Sequence, residues 1–171
     1  GGCVSDNQRS NDPNNASTSL IHNKENTYNN FERVDNGNGN GAIHLWQCES
    51  NSMWLADYNF VGDNGISIII ANESKNKAYI VTGDILDKYW GNRGCEELRK
   101  PLGDQFESDK KKTWGWRNGT TLIQRFEGGD IYNYTAPHLV GGNEYTYIVS
   151  GDIKTKYDSA DGINGEWGFP T

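Results

Sequence analysis

The sequence has little of what membrane-spanning, nucleic-acid-binding or strongly helical proteins need. It contains 4 Pro and 1 Met, few aliphatic helix-forming residues, and has a mean hydropathy of −0.83. Its longest strongly apolar run, Ile66 to Ala71, is too short to cross a bilayer as a helix. The 16 basic residues are outnumbered by 23 acidic ones. The net charge of −7 therefore argues against a nucleic acid or an anionic membrane as partner.

Cysteine is also scarce, and Cys3, Cys48 and Cys95 lack the spacing of a metal site. We predict a disulfide between Cys48 and Cys95, which leaves Cys3 free or available for an intermolecular bond. Alternatively, Gly1-Gly2-Cys3 and the polar tract after it look like the end of a bacterial lipobox, in which Cys3 would carry a lipid. Both interpretations indicate a location outside the cytoplasm, either secreted or attached to the cell surface.

Aromatic residues and glycine take the place of the missing aliphatic residues. With 6 Trp, 9 Tyr and 5 Phe for a core and 21 Gly for turns, the composition favours an all-β fold with short helical turns. Residues 1–27 are rich in Asn and Ser and have only isolated apolar positions, so we predict a flexible arm there. Residues 28–171 are predicted to form a single β domain.

An internal repeat organises this domain. The segments Tyr79–Tyr89 and Tyr147–Tyr157 lie 68 residues apart and are identical at eight of eleven positions. Each is typical of a strand that ends at a glycine and continues into a short helix, with Asp84 or Asp152 as its N-cap. The two copies predict a repeat-built domain.

The repeat predicts a propeller-like or otherwise closed β arrangement of about two to three units. The units are expected at roughly 28–90, 91–157 and 158–171. Because the last unit is short, we expect the N-terminal segment around Phe31–Trp46 to complete it and close the ring, which would remove the free sheet edges.

Three segments of the second half resemble the LGFP repeat. Phe126–Tyr132, Val149–Ile153 and Gly165–Pro170 correspond to its Phe-x-x-Gly-x-Ile-Tyr, Gly-x-Ile and Leu-Gly-x-Pro segments, with Trp167 in place of the Leu. The resemblance covers roughly Phe60 to Thr171. It implies a secreted, wall-associated protein whose propeller-like β repeats bind cell-surface polysaccharide. It supplies no catalytic residues.

Aromatic side chains are the candidates for a binding site. Sugar rings present apolar C–H faces that stack on Trp and Tyr, while their hydroxyls hydrogen-bond to Asp, Asn and Gln. The candidate carbohydrate-binding residues are Trp114, Trp116, Trp54, Trp90 and Tyr132. The same residues could instead form the core. We predict a non-catalytic extracellular domain that binds a polysaccharide or glycoconjugate and needs no cofactor.

Two further kinds of site are indicated by short patterns. Asp158, Asp161 and Glu166, around Gly162, are candidate calcium ligands. Glycosylation sequons, which fit a secreted protein, begin at Asn15, Asn72, Asn118 and Asn133.

Two other classes of function stay open at this point. The chain could be a structural subunit of an extracellular matrix or filament, whose copies associate through the N-terminal arm or an unpaired Cys. It could also be a glycan-acting hydrolase with Asp84 and Asp152 as its carboxylates. Identical residues at equivalent repeat positions are, however, better explained as identical helix caps.

Overall fold

The computed structural model describes residues 5–10, 14–28, 31–33, 43–48, 51–60, 66–91, 94–108, 113–114, 117–136, 143–165 and 170. The strands are β1 (Ser5–Ser10), β2 (Phe31–Arg33), β3 (Ile43–Gln47), β4 (Ser52–Phe60), β5 (Ile66–Asn72), β6 (Lys77–Thr82), β7 (Phe106–Glu107), β8 (Thr113–Trp114), β9 (Arg117–Asn118), β10 (Thr120–Phe126), β11 (Gly129–Ala136) and β12 (Asn143–Ser150). The helices are α1 (Ala16–Glu25), α2 (Gly83–Gly91), α3 (Gly94–Glu97) and α4 (Gly151–Ser159).

The strands form two main antiparallel sheets. The first sheet has the order β1-β3-β4-β5-β6, with β2 also paired to β4, and the second has the order β12-β11-β10-β7. β8 and β9 form a separate two-stranded ladder. The predicted mostly β fold with short helices is thus confirmed. The strands in the described part of the chain form open sheets and do not close into a barrel or propeller.

Helices and sheets alternate as layers. α1 packs on one face of the first sheet, α2 lies between the two sheets, and α4 covers the outer face of the second. The main apolar cluster joins Leu55 and Ile70 of the first sheet to Tyr89 of α2 and to Phe126 and Ile131 of the second. Burial of apolar surface around α2 therefore connects the two sheets.

β5 is buried on both of its faces. Ile68 and Ile70 point toward α2, whereas Ile69 and Ala71 point toward α1, and none of the four is more than 3% exposed. This double coverage explains why the strand is a continuous apolar run instead of an alternating one. The buried strand predicted from that run is confirmed.

The two repeated segments occupy the same kind of corner. In each, a strand ends and a helix begins at a glycine with positive φ, 61° at Gly83 and 57° at Gly151, a conformation that other residues adopt at a cost. Asp84 and Asp152 lie in the first helical turn and not at the predicted N-cap, because the helices begin one residue earlier. Their negative charge still favours the positive end of the helix dipole.

The prediction of a flexible arm is wrong for the described part of residues 1–27. The side-chain oxygen of Asn15 caps α1 by accepting hydrogen bonds from the N–H groups of Ser17 (3.0 Å) and Thr18 (3.2 Å). Ile21 of α1 is fully buried against the first sheet, and β1 pairs with β3. The cap and the buried Ile21 thus help to fix α1 on a face of the first sheet that would otherwise be exposed.

The described residues do not show the predicted ring closure by Phe31–Trp46. β2 and β3 from that region both pair with β4 of the first sheet, and no described strand links them to the second sheet. A short connection joins β3 to β4, so this local pairing loses less chain entropy than closure across the whole sequence. Residues 166–169 and 171 of the predicted last unit lie outside the described residues.

Side chains, not strands, link the edge of the first sheet to the second half of the chain. The N–H of Ile80 on β6 donates to Oδ1 of Asp104 (2.9 Å), and its carbonyl accepts from Nε2 of Gln124 (2.9 Å). Gln124 is fully buried and also donates to the carbonyl of Gly103 (2.9 Å). Asp104 forms an ion pair with Lys24 of α1. At Ile80 the backbone groups on the free edge of β6 are thereby satisfied without a further strand.

We expect the two isoleucines of the repeated motif to respond very differently to substitution. Ile85 is 1% exposed and Ile153 is 71% exposed. Ile85→Ala should lower the free energy of unfolding by about 2–4 kcal/mol, because it leaves a cavity between the sheets, and Ile153→Ala should change it by less than about 0.5 kcal/mol. Urea denaturation of both variants checks this. Equal losses would contradict the assignment of α2 to the interior and α4 to the surface.

Candidate functional site

A pocket of about 250 Å³ opens between the first sheet and α2. It is lined by Trp46, Asp57, Ile68, Leu86, Asp87 and Trp90, and is called here the Trp46–Trp90 pocket. Ile68 and Leu86 are buried, Asp87 is exposed, and the other three are partly exposed. The pocket therefore combines an apolar base with aromatic and acidic groups at the protein surface.

The side chains reach this pocket through the regular geometry of their elements. On β4, Asp57 follows Met53 and Leu55 at alternate positions, so it points to the face of the sheet that meets α2. On α2, Leu86 and Trp90 are four residues apart and share one helix face. Met53 and Leu55 fill the interior, and Asp57 continues their row to the surface.

The two tryptophans pack edge to face. Their ring centroids are 4.8 Å apart with an interplanar angle of 67°, an arrangement that aromatic pairs prefer. Both rings also contact the main apolar cluster, which limits their rotation. Nε1 of Trp46 is buried and has no hydrogen-bond acceptor within the described residues. Most buried indole N–H groups do find an acceptor.

A disulfide fixes the two elements that carry the tryptophans. Cys48 and Cys95, which the sequence predicted as a pair, are joined with their Cα atoms 6.2 Å apart. Cys48 lies two residues after Trp46, and Cys95 lies five residues after Trp90. The side chain of Asn51 adds a hydrogen bond to the carbonyl of Cys95 (3.1 Å). The cross-link holds the end of β3 close to the segment that follows α2.

A second pocket, of about 360 Å³, lies between the second sheet and α4. Its lining residues are Arg125, Tyr132, Asp158, Asp161, Gly162, Ile163 and Asn164. Next to it, Asp130 is 1% exposed and accepts hydrogen bonds from Nη1 of Arg125 (2.6 Å) and from Nζ of Lys154 (3.0 Å). Lys154 also pairs with Asp158. Two cations and two carboxylates thus compensate one another.

The ionisation of the groups near the second pocket follows from this network. Burial alone would lower the pKa of Lys154, but the hydrogen bonds and charges of Asp158 and Asp130 outweigh it and raise that pKa. Burial is the main cause that raises the pKa of Tyr157, and the nearby Tyr132 and Asp158 raise it further. At neutral pH Lys154 is therefore charged and Tyr157 is neutral. Neither group is poised to exchange a proton.

The predicted aromatic candidates are distributed over several places. Trp90 lines the Trp46–Trp90 pocket. Trp54 points to the opposite face of β4, where it packs against the cluster under α1. Tyr132 is 3% exposed and packs edge to face on Tyr157 at 5.8 Å, so most of its surface is in contact with the fold itself. The backbone of Trp114 is in β8, but its side chain and all of Trp116 lie outside the described residues.

The predicted calcium ligands do not form a metal site in the described structure. Asp158 pairs with Lys154, and Asp161 has a positive φ of 64° at the start of the turn Gly162–Asn164. Glu166 lies outside the described residues. Among the residues that the structure describes, no group of three or more His, Cys, Asp or Glu side chains could hold a metal ion.

Two of the four predicted glycosylation sites are wrong, because their side chains are used inside the fold. Asn72 is 1% exposed and donates to the carbonyl of Pro101 (2.8 Å), and Asn133 is 4% exposed and donates to Oγ1 of Thr146 (3.1 Å). A glycan needs an asparagine at the surface. Asn15 is partly exposed, but its oxygen caps α1. The side chain of Asn118 is outside the described residues.

The carboxylates considered for a hydrolase have unlike surroundings. Asp84 is partly buried, and its Oδ2 lies 3.5 Å from Nδ2 of Asn133, whereas Asp152 is exposed. Each lies on a different helix, and each has a sufficient structural explanation at the start of that helix.

Sequence reasoning missed the other aromatic residue and both carboxylates of the Trp46–Trp90 pocket, namely Trp46, Asp57 and Asp87. The predicted disulfide was the signal that could have found Trp46. A bond between Cys48 and Cys95 necessarily brings Trp46 and Trp90 into the same region.

Comparisons with known proteins add no relatives. No protein-family model, curated protein or solved structure shows significant similarity to the chain, so the resemblance to the LGFP repeat stays a prediction. Within the described residues, the helices are too short or too polar to cross a membrane.

Proposed function

We propose that the protein is a non-catalytic domain that binds an extracellular polysaccharide through the Trp46–Trp90 pocket. The observation that carries this proposal is the pair of partly exposed, mutually packed tryptophans beside two carboxylates in a pocket of about 250 Å³. Ligand pockets for drug-sized molecules are larger, at about 300–1,000 Å³. This one suits a single sugar ring.

The chemistry of a sugar ring matches that of the pocket. One face of a pyranose presents C–H groups that gain from contact with an indole, while its hydroxyls need polar partners. Asp57 and Asp87 supply carboxylate oxygens that accept hydrogen bonds from hydroxyls. Because the tryptophans are fixed by the core and by the disulfide, little side-chain entropy is lost on binding.

The disulfide also supports an extracellular or cell-surface location. Structural disulfides persist in oxidising compartments and are rare in the cytosol. The bond between Cys48 and Cys95 is almost completely buried, at 7% and 0% exposure, as expected for a structural cross-link.

We also infer that the chain is built from two copies of one unit, three antiparallel strands followed by a helix. The copies are β4-β5-β6-α2 and β10-β11-β12-α4. The positive φ of Gly83 and Gly151 and the identical motif around them support this inference. A buried tyrosine of each motif copy, Tyr89 or Tyr157, also packs on an aromatic residue of the second sheet.

Binding of the intact protein to an array of neutral, amino-bearing and acidic oligosaccharides tests the proposed function. We expect Trp90→Ala to weaken the strongest interaction about ten- to hundredfold, as expected for loss of a central aromatic contact. Ile153→Ala, an exposed change on α4, should leave it unaltered.

Trp90 also contacts the core, so its replacement could weaken binding by destabilising the fold. The thermal stability of the Trp90→Ala variant is therefore compared with that of Trp90→Phe, which keeps an aromatic ring. Unchanged binding by a folded Trp90→Ala variant, or no binding to any oligosaccharide by the parent protein, would refute the proposal. Release of reducing sugar from a polysaccharide would instead favour the hydrolase.

A further inference from the structure

The charge of the Trp46–Trp90 pocket distinguishes among sugars. Its six described lining residues include two carboxylates, Asp57 and Asp87, and no basic side chain. The whole protein is also acidic, with a net charge of −7. A ligand that carries carboxylate or phosphate groups would be repelled here, whereas one that carries a positive charge would be attracted.

The two copies of the unit can be compared residue by residue through their strand registers. In the first sheet, Ile80 of the motif strand pairs with Ile69, which pairs with Ala56. In the second sheet, the equivalent Ile148 pairs with Ile131, which pairs with Gln124. At the next register position, Asp57 pairs with Ile68 and Arg125 pairs with Asp130, so Asp57 corresponds to Arg125 and Ile68 to Asp130. On the helices, the motif alignment matches Leu86 with Lys154 and Trp90 with Asp158.

These four positions are all charged in the second copy and mostly apolar in the first. In the second copy they are occupied by Arg125, Asp130, Lys154 and Asp158, whose charges pair with one another. In the first copy Asp57 is the only charged residue of the four, and its cross-strand neighbour is the apolar Ile68. At these four positions the second copy has two basic side chains, Arg125 and Lys154, and the first copy has none.

Asp57 and the tryptophans can together hold an ammonium group. Asp57 already has an interaction partner within the fold, and a carboxylate, with its two oxygens, accepts several hydrogen bonds. Asp87 at the exposed rim adds a second negative charge. Indole faces attract cations in addition, most strongly among the aromatic side chains. Carboxylates beside tryptophans are thus suited to a ligand that combines an apolar ring face with an ammonium group.

We propose that the Trp46–Trp90 pocket recognises a sugar with a free amino group, the ring packing on the tryptophans and the ammonium group binding Asp57 and Asp87. This inference rests on the proposed function and specifies its ligand class. It predicts discrimination against the N-acetylated form of the same sugar, which has no positive charge, and stronger discrimination against uronic acids.

Calorimetric titration of the intact protein with three tetrasaccharides tests this. The probes are the oligomers of glucosamine, N-acetylglucosamine and galacturonic acid, at about pH 6, where amines are protonated and carboxylates ionised. The glucosamine oligomer should bind about tenfold more tightly than the acetylated one, equivalent to about 1.4 kcal/mol. Added salt should reduce this preference because it screens charge.

Matched variants locate the preference. Asp87→Asn, at an exposed position, should reduce the affinity for the glucosamine oligomer about fivefold and change the affinity for the acetylated oligomer by less than about twofold. Asp57→Asn should likewise weaken binding of the glucosamine oligomer more than binding of the acetylated one. Glu97→Gln removes an exposed carboxylate of α3 outside the pocket and should change neither.

The outcomes separate the two proposals. Equal or tighter binding of the acetylated or acidic oligomer would overturn the amino-sugar inference and leave polysaccharide binding intact. Tighter capture of oligolysine than of the glucosamine oligomer would assign the pocket to protein amines and overturn it as well. No binding of any oligosaccharide would remove both proposals.

Discussion

Loss of the Cys48–Cys95 disulfide is expected to lower the free energy of unfolding by about 2–5 kcal/mol. The bond closes a loop with a sequence separation of 47 residues, and its removal frees the unfolded chain to explore many more conformations. Cys48→Ala/Cys95→Ala is the suitable variant, because both side chains are buried and alanine leaves no unpaired hydroxyl. Urea denaturation in a Cys3→Ser background gives the difference.

The same variant should bind polysaccharide more weakly, since the bond holds together the segments that carry Trp46 and Trp90. Thiol titration of the unfolded Cys3→Ser protein is the control, with no free thiol expected before reduction and two after it. Two free thiols before reduction, or equal stability with and without the bond, would contradict this account.

Tyr89→Ala is expected to lower the free energy of unfolding by about 3–5 kcal/mol, because it removes a large, fully buried aromatic ring from the main core. The ring stacks on Phe126 with centroids 4.9 Å apart, and its hydroxyl donates to the carbonyl of Arg99 (2.8 Å). Tyr89→Phe keeps the ring and should cost only about 1–2 kcal/mol, through the unpaired carbonyl.

Denaturation followed by tryptophan fluorescence measures both losses. Ile153→Ala serves as the control, since its exposed side chain should have almost no effect. If Tyr89→Phe were as destabilising as Tyr89→Ala, the hydrogen bond and not the stacked ring would dominate this site.

The strand-to-helix corners were predictable because the information for them is local. The apolar strand around Ile80, the glycine after it and the polar helix positions all lie within a few residues, and β6 and α2 form where the pattern places them. α1 was missed for the opposite reason. Its sequence has little apolar content, and its stability depends on Ile21 meeting a sheet formed by residues far along the chain.

The candidate site was only partly predictable. Trp90 was chosen for its residue type, but its contact with Trp46 depends on how α2 packs on the first sheet. Tyr132 has the same chemical suitability for sugar, yet the packing of α4 buries it. Sequence identifies residues suited to a ligand, but exposure is decided by the tertiary arrangement. The disulfide was the one long-range constraint that the sequence offered.

The position of α2 between two sheets has a consequence for how the sequence can vary. Ile85, Leu86 and Tyr89 are all buried there, whereas on α4 only Tyr157 is buried. A random substitution in α2 is therefore much more often deleterious than one in α4. Deep mutational scanning should show a low tolerance to substitution across α2 and a high tolerance across α4. On the proposed duplication, the copy whose helix lies at the surface is the one that tolerates charged residues, as at Lys154 and Asp158.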